Sequence, residues 1–352
     1  MNVRPDRGVV LVSGGAGYIG SHVVHALTDA GYAAVVLDSL VNGHRWATGD
    51  AAAFRQGDIG DAGFVHAACE EFRPVAALHF AAFIEVAESV ADPQKYFTNN
   101  RDKAKIFFDV LAACGVSNIV FSSTAAVYGD GGDSAPIRED AATRPINPYG
   151  QSKLEAETYL RTLPAVRSVA LRYFNVAGAE PDAGLGEAHF PESHLIPRLV
   201  LPLIGAPESV LTALGLTGGF KMFGADYPTR DGTAVRDYIH VMDLADAHIL
   251  ALRHLLDGGN TDIFNLGSGS GYSVKEIVDA ARQALDRPDF APVVEARREG
   301  DPASLIADSA KARRVLAWRP RRTIGDMITA AAAWHRSRRY LDTITAKAEA
   351  LR

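Results

Sequence analysis

Cysteine is scarce in this sequence of 352 residues, which contains only Cys69 and Cys114. Both lie in apolar segments, and neither belongs to a Cys-x-x-Cys motif or to a cluster with histidine. Such a pair supplies neither the framework of a disulfide-stabilised domain nor a cysteine-based zinc site. We therefore expect two buried free thiols and no metal ligands among the site residues.

Long hydrophobic runs are also missing. No apolar stretch approaches the roughly 18 to 20 residues that a membrane span needs. Residues 1–8 lack the apolar core of a signal peptide. The sequence therefore predicts a cytoplasmic protein that has no membrane partner.

Neither sign of charge dominates the chain. Its 36 basic and 42 acidic residues leave a net charge of −6, which argues against binding nucleic acid through bulk electrostatics. Any phosphate chemistry must then depend on a few local arginines. The length and the 47% hydrophobic content are typical of a globular protein with a sizeable core, and the length favours two lobes.

A glycine-rich loop follows the first apolar run. Residues 9–12 are typical of a buried strand, and helical periodicity begins after Gly20. Glycines at 14, 17 and 20 permit a tight turn, close approach of the backbone to a pyrophosphate, and packing of the helix on the strand. The strand, loop and helix together predict a dinucleotide-binding site rather than a simple turn.

An acidic residue ends the second predicted strand. Residues 33–37 lead to Asp38, about where a dinucleotide-binding fold places the carboxylate that holds the adenosine ribose. A carboxylate there would repel the 2′-phosphate of NADP, although Arg45 follows in the same loop. Asp38 therefore favours NAD as the cofactor over the alternative of a plain solvated loop acid.

Strands and helices alternate through the first half of the chain. Further strands are predicted at 53–57, 75–80, 118–121 and 168–174, with a helix from about 96 to 113. This alternation predicts an α/β fold with a Rossmann-type doubly wound parallel sheet, whose ligands bind at the carboxyl ends of the strands. Ser122, Ser123 and Thr124 stand at one such end, and at least one of these hydroxyls is expected to have only a turn or cap role.

Tyr149 and Lys153 stand four residues apart at the start of a predicted helix. Asn147 can cap this helix and Pro148 suits its first position, so the phenol and the ammonium share a helical face. A phenol titrates near ~10 and needs a nearby positive charge to act as a base at neutral pH. The spacing alone also fits an amphipathic surface pair, so the catalytic interpretation depends on the dinucleotide-binding features.

Periodicity weakens in the middle of the chain, where Gly and Pro are frequent. We expect residues 1–175 to form the NAD-binding Rossmann domain, completed by 237–270. A smaller C-terminal α/β substrate lobe is assigned to 176–236 and 271–340, and a peripheral tail to 341–352.

A series of short motifs runs along the chain. They are Gly14 to His22, His79 to Ala82, Ser122 to Gly129, Asn147 to Lys153, Leu171 to Asn175, Arg236 to Val241 and Arg297 to Asp301. In this order they resemble the UDP-glucose 4-epimerases of the extended short-chain dehydrogenase/reductase family, from about residue 9 to residue 332. The resemblance implies a UDP-hexose substrate, tightly held NAD and commonly a homodimer.

The resemblance also implies a mechanism. Tyr149 would take the proton of the sugar 4-hydroxyl while the C4 hydride passes to the nicotinamide, and the 4-keto sugar would turn over before the hydride returns. Lys153 would bind the nicotinamide ribose and lower the pKa of Tyr149, and Thr124 would relay the proton. The implied cofactor-binding residues are Gly14, Gly17, Tyr18, Ile19, Gly20, Asp38, Asn42, Asp58, Ile59, Phe80, Ala81, Asn99, Tyr149, Lys153 and Phe174.

A UDP-sugar site is implied as well. Arginines suit a diphosphate because their planar donors pair with its oxygens, and loose binding of the hexose would let the keto sugar rotate. Leu305 stands where a tyrosine excludes N-acetylated sugars in some members of the family, so acceptance of UDP-N-acetylhexosamines is left open. The implied substrate-binding residues are Thr124, Asn175, His194, Leu195, Phe223, Arg236, Arg298, Asp301 and Leu305.

Other functions fit parts of the pattern. A sugar-nucleotide 4,6-dehydratase shares the fold and the catalytic pair, but that family carries Asp-Glu after its threonine, whereas Ala125 and Ala126 cannot transfer protons. A non-enzymatic NAD-binding regulator would keep the glycine loop and lose the catalytic residues. The presence of Thr124, Tyr149 and Lys153 together favours a C4 epimerase of UDP-glucose and UDP-galactose, or of another UDP-sugar such as a pentose.

Overall fold

The computed structural model describes residues 7–131, 136–298 and 301–350. In chain order the strands are β1 (Val9–Ser13), β2 (Ala33–Asp38), β3 (Ala53–Gln56), β4 (Ala76–His79), β5 (Asn118–Ser122), β6 (Arg167–Tyr173), β7 (Asn175–Ala177), β8 (Ala179–Glu180), β9 (Leu185–Gly186), β10 (Lys221–Phe223), β11 (Val235–Arg236), β12 (Tyr238–His240), β13 (Asp262–Leu266), β14 (Tyr272–Ser273), β15 (Val293–Glu295) and β16 (Ser304–Leu305).

The helices lie between these strands and after them. They are α1 (Tyr18–Asp29), α2 (Ala62–Phe72), α3 (Val86–Ala91), α4 (Pro93–Tyr96), α5 (Ala104–Ala113), α6 (Pro148–Leu160), α7 (Leu195–Leu203), α8 (Glu208–Ala213), α9 (Val241–Leu256), α10 (Val274–Ala284), α11 (Ala310–Val315), α12 (Ile324–His335) and α13 (Arg338–Ala350). Among the helices of the described ranges, none combines the length and the apolar character of a membrane span.

The central sheet has seven strands in the order β13-β6-β5-β4-β1-β2-β3. All neighbours are parallel, and Val10 lies opposite Ala34 on one side and Ala76 on the other. After β3 the chain crosses back to place β4 on the free side of β1. This reversal creates a topological switch point at the carboxyl ends of β1 and β4, where open α/β sheets bind their ligands.

Helices cover both faces of the sheet. On one face α1 and α9 bury Leu27 and Leu252 in a cluster that includes Val10. On the other face α2, α5 and α6 bury Phe107 in a cluster that includes Leu11. Strands that are buried on both faces have continuous apolar sequences without alternation, which explains residues 9–12. The predicted Rossmann-type doubly wound parallel sheet is confirmed.

A second core lies outside this sheet. Helices α7, α10 and α12 bury Leu199, Ile277 and Ile328 against one another, and short strands pair beside them, with β10 next to β15 and β11 between β14 and β16. Strand β13 joins the edge of the central sheet, as the expected completion of the Rossmann domain by 237–270 requires. The exact limits of the two lobes stay a prediction.

The helix expected from about 96 to 113 is interrupted. Residues Phe97–Lys103 form a π-helix between α4 and α5. A π-helical turn changes the direction of every side chain that follows, and such segments are frequent at functional sites. Periodicity counted at 3.6 residues per turn did not reveal it, because the apolar residues before and after the segment still fit helical spacing.

The C-terminal segment packs against the rest of the protein more than expected. Helix α13 buries Tyr340 and Ile344 in a cluster with Trp334 and Leu201. Residues 341–350 therefore pack on the substrate lobe, in contrast to the expected peripheral tail. The charged surface of this helix concealed its two apolar anchors, which are spaced one helical turn apart.

Both cysteines are free thiols, as predicted, although Cys69 is buried and Cys114 is only partly buried. Burial raises the pKa of Cys69 to about 12, and the neighbouring Cys114 adds to the rise. Such a thiol is protonated at neutral pH and packs as a small apolar group.

Candidate active site

The loop between β1 and α1 has the bare backbone that a phosphate group needs. Gly14 has a positive φ of 74°, and a Cβ on it would lie 2.5 Å from the backbone nitrogen of Ala81. A Cβ on Gly20 would lie 2.2 Å from the carbonyl oxygen of Gly14. The two glycines therefore let α1 start close against the end of β1 and leave the loop open to a ligand.

Tyr18 and Ile19 direct their side chains away from this loop. The Tyr18 hydroxyl donates to the carbonyl oxygen of Gly178 at 2.7 Å, and Ile19 packs against the central core. Both residues belong to the first turn of α1, where backbone N–H groups have no intrahelical acceptor. What they can offer a pyrophosphate is therefore the N–H groups and the positive end of the helix dipole.

An open cleft, whose volume of about 720 Å³ includes space open to solvent, lies beside the glycine loop. The ends of β1, β2, β3 and β4 contribute to it, as expected at the switch point. Its walls contain most of the predicted cofactor-binding residues, namely Gly14, Gly17, Asp38, Asn42, Asp58, Ile59, Phe80, Ala81 and Asn99.

Asp38 ends β2 in this cleft and is 8% exposed. Its two carboxylate oxygens accept the N–H groups of Ala16 at 2.9 Å and Leu40 at 2.8 Å. Burial raises the pKa of Asp38, and these hydrogen bonds oppose the rise. Each oxygen keeps a lone pair for a ribose hydroxyl. The guanidinium of Arg45 lies 4.3 Å from the centre of the Phe54 ring, so Asp38 and not Arg45 faces the cleft.

Lys103 also lines the cleft, and sequence reasoning missed it. Its ammonium pairs with the carboxylate of Asp58. Burial acts to raise the pKa of Asp58, but the hydrogen bonds from Lys103 and from the backbone N–H of Gly60, together with the charge of Lys103, outweigh burial and lower it. Lys103 ends the π-helix, so its direction could not be derived from the spacing of a regular helix.

Helix α6 begins as the sequence predicts. The side-chain oxygen of Asn147 accepts the N–H of Gly150 at 2.8 Å, and Pro148 occupies the first helical position. This cap fixes the first turn and therefore the position of Tyr149. The ring of Tyr149 packs edge-to-face with Tyr96, with 6.5 Å between the ring centres.

Thr124 lies near the phenol of Tyr149, just beyond the end of β5. Its hydroxyl oxygen accepts the N–H of Ala126 at 3.1 Å, which leaves the hydroxyl proton free to be donated. Burial raises the pKa of Tyr149, and the nearby Thr124 hydroxyl opposes the rise. The structure therefore brings these two predicted residues together, and their catalytic roles stay predictions.

Lys153 lies one helical turn beyond Tyr149 and is 3% exposed. Its Nζ lies 4.4 Å from the centre of the Phe121 ring. Burial lowers the pKa of Lys153 to about 7, and Glu157 opposes the change. The lowering of the Tyr149 pKa by Lys153 stays a prediction.

A buried polar network supports α6. Glu157 forms two hydrogen bonds with Arg172 on β6, one of them at 3.0 Å, and accepts the hydroxyl of Ser123 at 2.8 Å. Arg172 also donates to the hydroxyl of Tyr128 at 2.9 Å. Ser123 thus has the structural role that was expected of at least one hydroxyl after β5.

Four of the predicted nucleotide-binding residues form two contacts in the second lobe. Arg236 on β11 pairs with the carboxylate of Asp301, and the guanidinium of Arg298 lies 4.0 Å from the centre of the Phe223 ring. Each arginine is therefore oriented by a neighbour that leaves part of its donor set unused.

Leu305 connects this lobe to the catalytic segment. It lies opposite Arg236 in the ladder between β11 and β16, and its side chain packs with Tyr128, Phe174 and Ile137. Tyr128 ends the short 3₁₀ turn that follows Thr124. The predicted cofactor residue Phe174 and the predicted sugar-pocket residue Leu305 thus share one apolar cluster.

The remaining predicted substrate residues lie at the starts of elements. Asn175 begins β7, is exposed, and donates its N–H to the carbonyl oxygen of Asp237 at 2.9 Å. Leu195 begins α7 and packs partly in the second core. His194 precedes Leu195, and its Nδ1 contacts the carboxylate of Glu187. The substrate roles of these residues stay predictions.

Gly20→Ala is expected to weaken NAD binding by more than about 10-fold, because overpacking costs about 1–3 kcal/mol and here it displaces the helix from the loop. The added methyl group would lie 2.2 Å from the carbonyl oxygen of Gly14. Fluorescence titration with NAD measures the effect. Gly325→Ala is the matched control, because its methyl group would meet only Thr323 Oγ1, at 3.6 Å. Equal NAD affinity in the two variants would contradict the close packing.

Comparison with known sequences places these features in a family. A sequence profile of the NAD dependent epimerase/dehydratase family matches residues 10–267. A UDP-glucose 4-epimerase of Streptococcus mutans is 48% identical over 334 residues, which cover 93% of this chain and 97% of that protein.

Solved structures agree with the sequence comparison. A UDP-glucose 4-epimerase from Brucella ovis in complex with NAD has a TM-score of 0.86 and 42% identity, covering 92% of this chain and 97% of that chain. The enzyme from Bifidobacterium longum in complex with NAD+ and UDP has a TM-score of 0.84 and 34% identity, covering 94% of this chain and 99% of that chain. The protein therefore belongs to the NAD dependent epimerase/dehydratase family.

Proposed function

We propose that the protein inverts the C4 hydroxyl of a UDP-hexose, interconverting UDP-glucose and UDP-galactose with NAD bound in the cleft. The observation that carries the proposal is the cleft at the switch point of the sheet, which brings the glycine loop and Asp38 together. Thr124, just beyond β5, lies close enough to Tyr149 to act on the pKa of its phenol. The UDP-glucose 4-epimerases that match nearly the whole chain support the same activity.

NAD fits the residues of the cleft. The bare backbone at Gly14 and the first N–H groups of α1 suit the pyrophosphate, and the carboxylate of Asp38 suits the adenosine ribose. Lys153 would hold the nicotinamide ribose. When bound, NAD supplies the redox chemistry by taking a hydride from the sugar and giving it back.

Tyr149 would move the proton. Its phenolate oxygen would take the proton from the sugar 4-hydroxyl, either directly or through the Thr124 hydroxyl, and return it to the inverted alcohol. Thr124 suits a relay because it accepts one hydrogen bond from the backbone and can donate another. Ala125 and Ala126 follow Thr124 in the structure, and neither can act as the acid that dehydration of the sugar needs.

Arg236 and Arg298 would hold the diphosphate. Both are oriented by neighbours, Arg236 by Asp301 and Arg298 by the Phe223 ring. Anchoring UDP through these arginines leaves the hexose free to rotate, so that either face of C4 can be presented. Leu305, packed against Tyr128, is placed to limit the size of the sugar.

Arg236→Ala is expected to raise KM for UDP-galactose by about 10- to 100-fold, because a charge-assisted hydrogen bond contributes about 1.5–3 kcal/mol. The effect on kcat should be smaller, since the reacting carbon lies at the other end of the substrate. Steady-state kinetics measure both constants. Arg230→Ala is the control, because Arg230 pairs with Glu276 at the surface. An unchanged KM in the Arg236 variant would remove Arg236 from the diphosphate site.

The activity is tested without added cofactor. The purified protein, with its NAD content confirmed, is incubated separately with UDP-galactose, UDP-N-acetylgalactosamine and UDP-xylose, and inversion at C4 is followed by NMR. We expect inversion of UDP-galactose. Inversion of only the N-acetylated sugar or only the pentose would reassign the substrate, and inversion of none would refute epimerase activity.

We also propose that the protein is a cytoplasmic homodimer. The free thiols of Cys69 and Cys114 are the state that a reducing compartment maintains. Val86 and Val90 lie one turn apart on α3 and are 45% and 62% exposed, and such an apolar pair suits a subunit contact. Light scattering of the purified protein measures the mass, and a monomer at micromolar concentration would contradict the dimer.

A further inference from the structure

A compact cluster of two glutamates and two histidines lies between β9 and α7. Glu187, His189, Glu192 and His194 each place one potential ligand atom within 4.8 Å of the others. The cluster borders the glycine loop, because His189 lines a pocket that Gly17 and Asn42 of the NAD cleft also line. None of the steps derived for the epimerase reaction uses it as a group.

Glu192 contains a buried oxygen that lacks a partner. The residue is 2% exposed, and its Oε1 accepts the backbone N–H of His194 at 2.8 Å. Its Oε2 has no hydrogen-bond partner in the part of the chain that the structure describes. A buried carboxylate oxygen without a donor is costly, so this atom requires either a proton or a cation.

The other three side chains converge in the same place. Nδ1 of His189 lies 2.9 Å from Oε1 of Glu187 without a hydrogen-bond partner among the described residues. Nδ1 of His194 is hydrogen-bonded to the same glutamate oxygen. One oxygen of Glu187 therefore faces two imidazole nitrogens, beside the unpartnered oxygen of Glu192.

We propose that Glu187, His189, Glu192 and His194 bind a single Zn²⁺ ion that fastens this segment to the start of α7. Two imidazole nitrogens and two carboxylate oxygens form a four-ligand set that zinc accepts in tetrahedral geometry. Two carboxylates and two neutral imidazoles also balance a divalent charge. Softer thiolate ligands are not needed, and an all-oxygen set of the kind that Mg²⁺ and Ca²⁺ prefer is not present in this cluster.

The surroundings hold the ligand-bearing backbone in place. The indole of Trp334 on α12 donates to the carbonyl oxygen of Glu187 at 2.7 Å. Arg198 on α7 donates to the carbonyl oxygen of Glu192 at 2.9 Å. The edge of the Tyr18 ring faces His189, with 6.2 Å between the ring centres. The ion would therefore link the glycine-loop helix, the substrate lobe and the start of α7 through one short segment.

The sequence contains a pattern of ligand residues for this site. A search for metal ligands that starts from cysteine does not find it. Its spacing is Glu-x-His-x-x-Glu-x-His over residues 187–194. The spacing differs from helical zinc motifs because the segment is an extended loop, so only the folded chain shows that the four side chains meet. The expectation of no metal ligands rested on the absence of a cluster containing cysteine.

Metal content and thermal stability test the proposal. NAD-loaded protein is stripped with a chelator, dialysed, and titrated with Zn²⁺. We expect about one ion per chain and a rise in Tm of several degrees. His189→Ala and Glu192→Gln are expected to weaken Zn²⁺ binding by more than about 100-fold. His66→Ala, a variant of an exposed histidine that faces Glu70, should bind as the unaltered protein does.

Substitution by Co²⁺ keeps the test decisive if a variant fails to fold. The unaltered protein loaded with Co²⁺ should show the intense visible absorption of a tetrahedral site with nitrogen and oxygen ligands, and Zn²⁺ should displace it. Stoichiometric binding with this spectrum supports the site. The proposal is overturned if the stripped protein binds no Zn²⁺ or if Tm is the same with and without Zn²⁺. It is also overturned if His189→Ala binds Zn²⁺ as tightly as His66→Ala does. In each case protons alone would satisfy the polar atoms of the cluster.

Discussion

Replacing Tyr149 by phenylalanine is expected to lower kcat by about 10³-fold, within the range that a positioned acid-base group contributes. The substitution removes only the phenolic oxygen. The Asn147 cap and the edge-to-face contact with Tyr96 do not involve that atom, so the helix and the ring should stay in place. NAD content and KM for UDP-galactose should therefore change little.

Two measurements separate this effect from a loss of structure. Tyr159→Phe on the same helix removes a surface hydroxyl that donates to Asp109, and it should keep full activity. The pH profile gives the second readout. Because burial raises the pKa of Tyr149, the phenolate fraction and kcat should increase as pH rises, and this increase should vanish in Tyr149→Phe. A Tyr149 variant that kept the increase would show that another group takes the proton.

The sequence predicts best what depends on neighbours along the chain. The glycine loop, the end of β2 at Asp38 and the Asn147 cap are each defined by a few consecutive residues, and the structure places them as predicted. The parallel pairing of the strands follows from the alternation of strands and helices, since parallel pairs require crossovers. These features bring most of the cofactor residues to one cleft without further information.

Contacts between distant parts of the chain could not be predicted in the same way. The π-helix at Phe97–Lys103 redirects Lys103 toward Asp58, although a regular helix fits the same residues. The pKa of Lys153 depends on the burial of its side chain and on the nearby Glu157. The spacing of residues along the sequence predicts neither of these. The network that joins Glu157 on α6 to Arg172 on β6 is likewise invisible in the sequence, because each residue alone resembles a surface charge.

Glu157→Gln is expected to lower the free energy of unfolding by about 3 kcal/mol, because removing one partner of a buried ion pair leaves the other charge uncompensated. The side chains of Glu157 and Arg172 are 2% and 4% exposed, so water cannot replace the lost carboxylate. Urea denaturation of the NAD-loaded protein measures the change. Glu155→Gln on the same helix is the control; its partner Arg101 is 27% exposed, and a pair of this kind contributes about 1 kcal/mol or less.

The same substitution should alter NAD binding through Lys153. Glu157 raises the pKa of that buried lysine and opposes the larger effect of burial, so its removal should lower the Lys153 pKa further. If the charged lysine holds the nicotinamide ribose, NAD affinity falls as pH rises through this pKa, and in Glu157→Gln the fall should begin at lower pH. The double variant Glu157→Met with Arg172→Met should regain much of the stability, since neither charge is left buried alone, but not the pH profile. A double variant that regained both would show that Glu157 acts only on stability.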